Sequence, residues 1–282
     1  MKRLVFALLW RSGAVRLAAW LNRARVVILC YHGVTGRDAR AAFDPDGLHV
    51  RRERFERQLD YLRRRYRVVS LSEYLSARRE GRRLPPYTAV VTFDDGYRNF
   101  LTLAAPRLAE RRIPASVFLI TDRVRDDATD ASPREWAEAD DESYLSWSEV
   151  DGLRREHGFE FGSHTCSHPK LTTLTSDEAE RELRESRDLL SSRLGSPSVP
   201  FAYPYGDYSD SIAERARALG YDCALTTDDG PNDARVDAFK LRRTLVGDDD
   251  DEASFAARVS GLAGWLRGRA SYHAPAAGQQ SS

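Results

Sequence analysis

Two carboxylates stand side by side at Asp94 and Asp95, where the apolar run Ala89–Phe93 gives out just before Gly96. Buried together and bare, two like charges would be costly. A cation removes the difficulty, because one carboxylate can bind it while the other stays free to take a proton. Taken alone, however, the Asp-Gly dipeptide reads first as a turn. A second segment, Gly162-Ser163-His164-Thr165-Cys166-Ser167-His168, follows another short apolar run. Two histidines four apart converge on one ion if the segment makes a helical turn. The chain has only six histidines, so a pair in one pentad is notable. Together with the acidic doublet, the pair favours a metal site over two unrelated histidines. Cys166, lying between them, should point elsewhere and pack.

Two further segments end apolar runs. Cys30-Tyr31-His32-Gly33 offers either a buried strand-end histidine or a general acid tuned near neutrality. Pro200–Gly206, with Tyr203-Pro204-Tyr205-Gly206 at its end, is either a plain turn or one that aims a backbone N–H at developing negative charge.

The elements that must hold these residues alternate. Val26–Tyr31, Tyr66–Ser70, Ala89–Phe93, Ala115–Ile120, Phe159–Gly162, Val199–Tyr203, Tyr221–Thr226 and Leu241–Val246 read as strands. Phe55, Leu59 and Leu62 mark one helix face, and Leu71–Arg79 a short helix. Ser146 with Glu149, and Thr175 with Glu178, are capping-box candidates, the second opening a helix to about Leu194. Ser211–Leu219 and Ala253–Arg269 read as the last helices. Such β-then-α repetition predicts an α/β fold, an irregular (β/α) barrel of about seven to eight parallel strands, with an open doubly wound sheet as the alternative. In either fold the chemistry belongs at the C-terminal ends of the strands, where all four segments fall.

Lys+Arg and Asp+Glu both number 43, so there is no basic excess to suggest nucleic acid as a partner. The acidic runs Asp126–Glu142 and Asp248–Glu252 read as solvated surface, the first within a polar loop or flap that could bring Trp136 and Trp147 to a ligand or simply pack them. Three widely spaced cysteines, Cys30, Cys166 and Cys223, predict neither a disulfide framework nor a cysteine zinc site. Residues 1–25 read as an amphipathic helix packed on the domain, with a membrane-surface helix as the alternative. Its apolar run Leu4–Trp10 is short and interrupted by Arg11 and Arg16, with no convincing cleavage site after it, which predicts a cytoplasmic chain, peripheral to the inner membrane if the helix meets it. Residues 26–270 read as one domain and 271–282 as a frayed tail.

In that order, each after a strand, TFDDG, HTxxH and PYG resemble the motifs of the polysaccharide deacetylase family, carbohydrate esterase family 4, with its NodB-homology domain. The YHGV that ends the first strand further resembles the permuted branch related to poly-N-acetylglucosamine deacetylases, in which the acid histidine comes early in the chain. The resemblance spans roughly residues 26 to 246. It implies an irregular NodB-like barrel, an acetylated glycan as substrate and metal-dependent hydrolysis of N-acetyl, or O-acetyl, groups. Carried over, Asp94 is the general base, and Asp95, His164 and His168 hold a divalent ion, zinc in the first instance. His32 is the general acid and the backbone of Tyr205 completes an oxyanion site. Two positions depart from the family pattern. Ala202 stands where many members place an arginine that orients the base, and Arg243 stands where the late histidine is expected. His32 can replace that histidine, and Arg243 or Arg242 could supply the orienting guanidinium. The competing readings are a catalytically lapsed barrel that binds a glycan or partner, and a metal amidohydrolase acting on a non-sugar amide.

Overall fold

Strand β1 (Val27–Tyr31) is the apolar run VILCY, buried along its whole length, as a strand flanked on both faces must be. In a computed structural model describing residues 2–36, 47–126 and 143–267, it is one of eight parallel strands. Preceding it are α1 (Lys2–Arg11) and α2 (Ala14–Leu21); after it come β2 (Val34–Thr35), β3 (Val50–Arg51), α3 (Arg52–Arg65), β4 (Arg67–Val68), α4 (Leu71–Arg79) and β5 (Thr88–Phe93). The middle of the chain supplies α5 (Ala105–Glu110), β6 (Ser116–Leu119), α6 (Trp147–His157), β7 (Glu160–Ser163) and α7 (Ser176–Leu194). The chain continues through β8 (Phe201–Ala202), α8 (Asp210–Ala218), β9 (Ala224–Leu225), β10 (Thr244–Leu245), α9 (Glu252–Val259) and α10 (Leu262–Arg267).

The strand order is β10-β1-β5-β6-β7-β8-β9, with β4 paired to the start of β5. Leu241 bridges in parallel to Leu225 while Thr244 and Leu245 pair with Leu29 and Cys30. One segment, 241–245, therefore joins the last strand to the first and curls the sheet into the expected barrel. Strand alternation then sorts the residues. Ile28, Val90, Phe118, Ala202, Leu225 and Leu241 form a small buried cluster separate from the larger one that packs the helices. Cys30, Asp94 and Arg243 share its parity, so they lie inside the barrel, above it. Gly162 is required there: a Cβ would come within 2.7 Å of both the Phe118 ring and the Pro200 carbonyl.

Both capping boxes form, at Ser146/Glu149 and Thr175/Glu178, and α7 ends at Leu194 with Gly195 in the left-handed region. Three readings need correction. The N-terminal helix is two helices bent by 73°, broken where Gly13 takes φ 83°. The C-terminal helix is likewise split, at Gly261 with φ 79°. The run Asp248–Glu252 is not simply solvated: Asp248 meets Arg51 and Arg54, buried Asp250 meets Arg258 at 2.6 Å, and Asp251 caps α9. Like charges in sequence are tolerated because each takes a separate partner as the chain turns. The small parallel pair β2–β3 is an element the apolar pattern did not announce. Of the run 126–142 only Asp126 is described, and Trp136 and the tail 271–282 also lie outside the described residues.

Candidate active site

All four segments emerge at the strands' C-terminal ends, and the barrel brings them together. The amide of Asp94 still donates to Tyr31 O at 2.9 Å, continuing the ladder. Asp95 then takes φ 72° and Gly96 φ 75°. The expected turn exists, and it is what separates the two carboxylates. Asp94 stays inside the barrel, while Asp95 swings toward the histidine segment. A Cβ on Gly96 would fall 2.6 Å from Leu119, so the turn also needs the glycine for space.

His164 and His168 converge, but not through a helical turn. Thr165 and His168 each take φ 66°, and the loop is held from outside. Glu182 on α7 accepts the amides of Cys166 and Ser167 at 2.9 and 3.0 Å, and His168 N donates to Thr165 Oγ1 at 3.0 Å. Cys166 is buried and packs, as expected. His164 Nδ1 lies 2.7 Å from Ala202 O. A carbonyl only accepts, so Nδ1 carries the proton and Nε2 presents a lone pair. That Nε2 lies 3.2 Å from His168 Nε2, and each is 3.5 Å from Asp95 Oδ1. Burial, then the neighbouring His164, depresses His168 to a pKa of about 4, so it is neutral near pH 7. Asp95 Oδ1 is buried with no hydrogen-bond partner. Two imidazole lone pairs and an orphaned carboxylate oxygen facing one point form a donor set that fits a divalent cation of the zinc type.

Asp94 is held differently. Arg243, with no exposed surface, binds both its oxygens, at 2.6 and 2.7 Å, a bidentate pair. The guanidinium is fixed in turn by Thr226 O at 2.9 Å and by Thr92 Oγ1 at 3.4 Å. Burial alone would raise the Asp94 pKa, but the Arg243 charge and its hydrogen bonds to the carboxylate override it and hold the carboxyl well below the usual range. Arg242 points elsewhere, its backbone tied to Asn232. Ala202 is fully buried in the interior cluster, and the guanidinium enters instead from the closing segment. Cys30 Sγ sits 3.4 Å from Asp94 Oδ2.

His32 reaches the same rim: a ring nitrogen, Cys30 Sγ and an Asp94 oxygen all lie within 4.8 Å of one another. This second group does not fit a cation, since Arg243 already occupies both Asp94 oxygens and burial pushes the Cys30 thiol well up. Tyr205 takes φ 59° in the turn Pro204–Gly206, and its exposed ring lies 4.6 Å from that of His168.

Some residues around the site were not found from sequence. Tyr97 contacts Asp95, and burial together with that carboxylate raises its pKa. Its ring stacks on Tyr144 at 5.2 Å and meets His49 at 4.9 Å. His49 and Asn99 press on Gly33, where a Cβ would stand within 2.8 Å of both. Asn99 is fully buried with neither amide atom partnered. The available signal was Gly33 itself, a glycine directly after a candidate acid. Trp147 is 7% exposed and packs under Arg193, so it is not a rim residue.

Residues 81–224 match the family model for polysaccharide deacetylase. The chain belongs to the polysaccharide deacetylase family. The deacetylase resembles YxkH of Bacillus subtilis, itself named as a polysaccharide deacetylase, at 22% identity over 87% of this chain and 81% of that one. It is 26% identical to the poly-beta-1,6-N-acetyl-D-glucosamine N-deacetylase of Escherichia coli over 83% of its own length, and spans 38% of that longer protein. Among solved structures, it superposes on the Streptococcus pyogenes deacetylase PplD with a TM-score of 0.71 at 23% identity, covering 83% of this chain and 98% of that one. IcaB from Ammonifex degensii gives 0.66 at 25%, covering 84% and 97%. The expected family and barrel are thus borne out. The chain is a hydrolytic deacetylase of a metal-dependent family, with an acetylated glycan as its substrate class.

Proposed function

We propose that this deacetylase removes N-acetyl groups from a β-1,6-linked N-acetylglucosamine polymer, with zinc held by Asp95, His164 and His168. The polymer is suggested by the names of relatives that match over most of this chain. The observation that carries the catalytic reading is the pairing of an ionised, Arg243-clamped Asp94 with the orphaned donor set beside it. A zinc ion bound there supplies Lewis acidity for the acyl oxygen and makes a water easier to deprotonate. Asp94 takes the proton of the attacking water, and Arg243 keeps that carboxylate ionised and fixed in plane. The Tyr205 backbone N–H faces the developing oxyanion. His32 donates a proton to the departing amine, which leaves poorly without one.

Acetate release from β-1,6-linked N-acetylglucosamine oligomers, set against chitin oligomers and O-acetylated sugars, tests the proposal. Release from the first set, lost on chelation and restored by zinc, is expected. Release only from the O-acetyl set, or from none with metal loaded, overturns it.

The proposal keeps the chain in the cytoplasm with its N-terminal helices against the inner membrane. Support comes from three free, buried cysteines and from the exposed apolar surface of α1 and α2. A processed N-terminus on protein recovered outside the cytoplasm would overturn this placement.

A further inference from the structure

Six of the eight large apolar side chains exposed among the described residues lie on two short helices: Leu4, Val5 and Leu8 on α1, Leu17, Trp20 and Leu21 on α2. The opposite faces are apolar too. Phe6, Leu9, Trp10, Ala14 and Ala18 pack on the core around buried Val15, and α1 lies along α9. A surface helix normally turns a polar face outward; these two do not. No single described helix is long and apolar enough to cross a membrane. In sequence, the charges of the segment that carries the patch are of one sign, although Arg25 pairs with Asp233 at 3.6 Å. Lys2, Arg3, Arg11, Arg16, Arg23 and Arg25 all precede the first acidic residue, Asp38, in a chain whose net charge is zero. Arg23 stacks over Trp20 at 4.4 Å, an aromatic with a cation beside it, as at a bilayer interface.

Beside the patch is a cavity of about 380 Å³ between α1, α2 and the end of α3. Its aromatic walls are Trp10, Tyr61, Tyr66 and Tyr87, and Arg16, Arg64 and Arg65 also line it. No carboxylate does. Arg64 has one distant carboxylate, Glu252 at 4.0 Å, and neither Arg16 nor Arg65 has an ion pair among the described residues. Three guanidinium groups on an aromatic-walled cavity suit a phosphate ester carried on an apolar body.

We infer that α1 and α2 form an interfacial wedge that docks on an anionic phospholipid bilayer, and that the adjacent cavity receives a lipid phosphate. The inference rests on the membrane-contact reading above and is independent of the catalytic one. It also orients the enzyme. The wedge and cavity lie where the strands begin, next to the entry of β1 and β5 (Tyr87 N donates to Arg23 O at 2.8 Å). Asp94 and His32 lie where those strands end. The active site therefore faces away from the bilayer, toward a glycan in the aqueous phase.

Co-sedimentation with vesicles of phosphatidylcholine alone, or with phosphatidylglycerol added, tests it on the full chain. Wild type should bind the anionic vesicles far better. The triple variant Arg16→Gln/Arg64→Gln/Arg65→Gln should lose about fivefold per arginine, roughly a hundredfold in all. Leu17→Ser/Leu21→Ser should release the protein from both vesicles, with an unchanged melting temperature and unchanged acetate release from a soluble oligomer showing that each variant is folded. Wild type that binds neither vesicle overturns the wedge itself. A triple arginine variant that keeps the anionic preference overturns the phosphate site while leaving the wedge. Thermal stabilisation by inorganic phosphate without vesicle binding assigns the cavity to free phosphate. A dimer in sedimentation velocity, dissolved by the leucine substitutions, assigns the patch to a second copy. Either of these last two results also overturns the lipid assignment.

Discussion

The two halves of the active site are built in opposite ways. The donor set of Asp95, His164 and His168 comes from two strand-end turns inside the matched span 81–224, and each turn is shaped locally by left-handed residues. The half around Asp94 is assembled from afar. Its clamp, Arg243, lies on the closing segment, Cys30 on β1 and His32 just past the end of β1, all outside that span. The first half leaves an oxygen unpartnered; the second saturates a carboxylate with a guanidinium. On the proposed roles, an ion site needs vacant lone pairs, whereas a base must stay ionised in a dry interior. The first is specified by short motifs, and the second depends on the barrel closing in register.

The largest effect should come from breaking the donor half. His164→Ala removes a lone pair that nothing nearby replaces. Metal content per chain and acetate release should both fall to background. Full occupancy in this variant would move the ion elsewhere. Asp94→Asn should do the reverse, keeping the ion while the rate falls about 10²–10⁴-fold. Metal analysis beside kinetics separates the two halves, and a metal-free Asp94→Asn protein would reverse the roles of the two carboxylates.

Arg243→Met tests the clamp. It strands a buried carboxylate, and breaking a buried pair from one side costs about 3–5 kcal/mol. Asp94→Asn/Arg243→Met removes both charges and should melt above Arg243→Met while staying inactive. The pH dependence has a definite sign. In wild type the Asp94 pKa is depressed, so the pair's stabilisation is present above the unfolded carboxylate pKa, about 4. It is lost only as the pH falls through the lower folded value. Without Arg243, burial raises the Asp94 pKa, and the acid limb of the rate profile should move upward. An unmoved limb would mean that Arg243 is structural only.

His32→Gln should cost more on an N-acetyl substrate than on an activated acetyl ester, because a good leaving group needs no proton. Equal losses on the two would leave His32 a half-buried strand-end histidine with no role as acid.

What the sequence disclosed follows the same division. The strands, both capping boxes and the ends of α4 and α7 could be read because hydrophobic period and cap chemistry are local. Asp94, Asp95, His164 and His168 could be read because each follows such a strand. Arg243 stood out only as an arginine in a histidine's place; its partner, 149 residues away, is fixed by strand parity after closure. The breaks at Gly13 and Gly261 were hidden because the apolar period runs on through them. Asn99 and His49 were hidden because neither ends an apolar run, and their burial against Gly33 is purely tertiary.

The smallest effect should come from Cys30, and it probes the clamped half most finely. Its thiol lies 3.4 Å from Asp94 Oδ2 and is kept protonated by burial, so it can only donate. A weak donor to an ion already held by two stronger ones adds little; at about 0.5–1.5 kcal/mol, Cys30→Ala should cost two- to tenfold in rate. The sign is set by the geometry. Losing a donor to the carboxylate raises its pKa, so the acid limb should shift upward slightly, in the same direction as for Arg243→Met and by much less. Because Cys30 and Arg243 share one carboxylate, their effects should not add. Once Arg243 is gone the thiol is the remaining donor from the barrel wall, and Cys30→Ala should then cost more than it does in wild type. Strict additivity in that double-mutant cycle would show that the thiol only packs beside Asp94, and that the guanidinium alone sets the base.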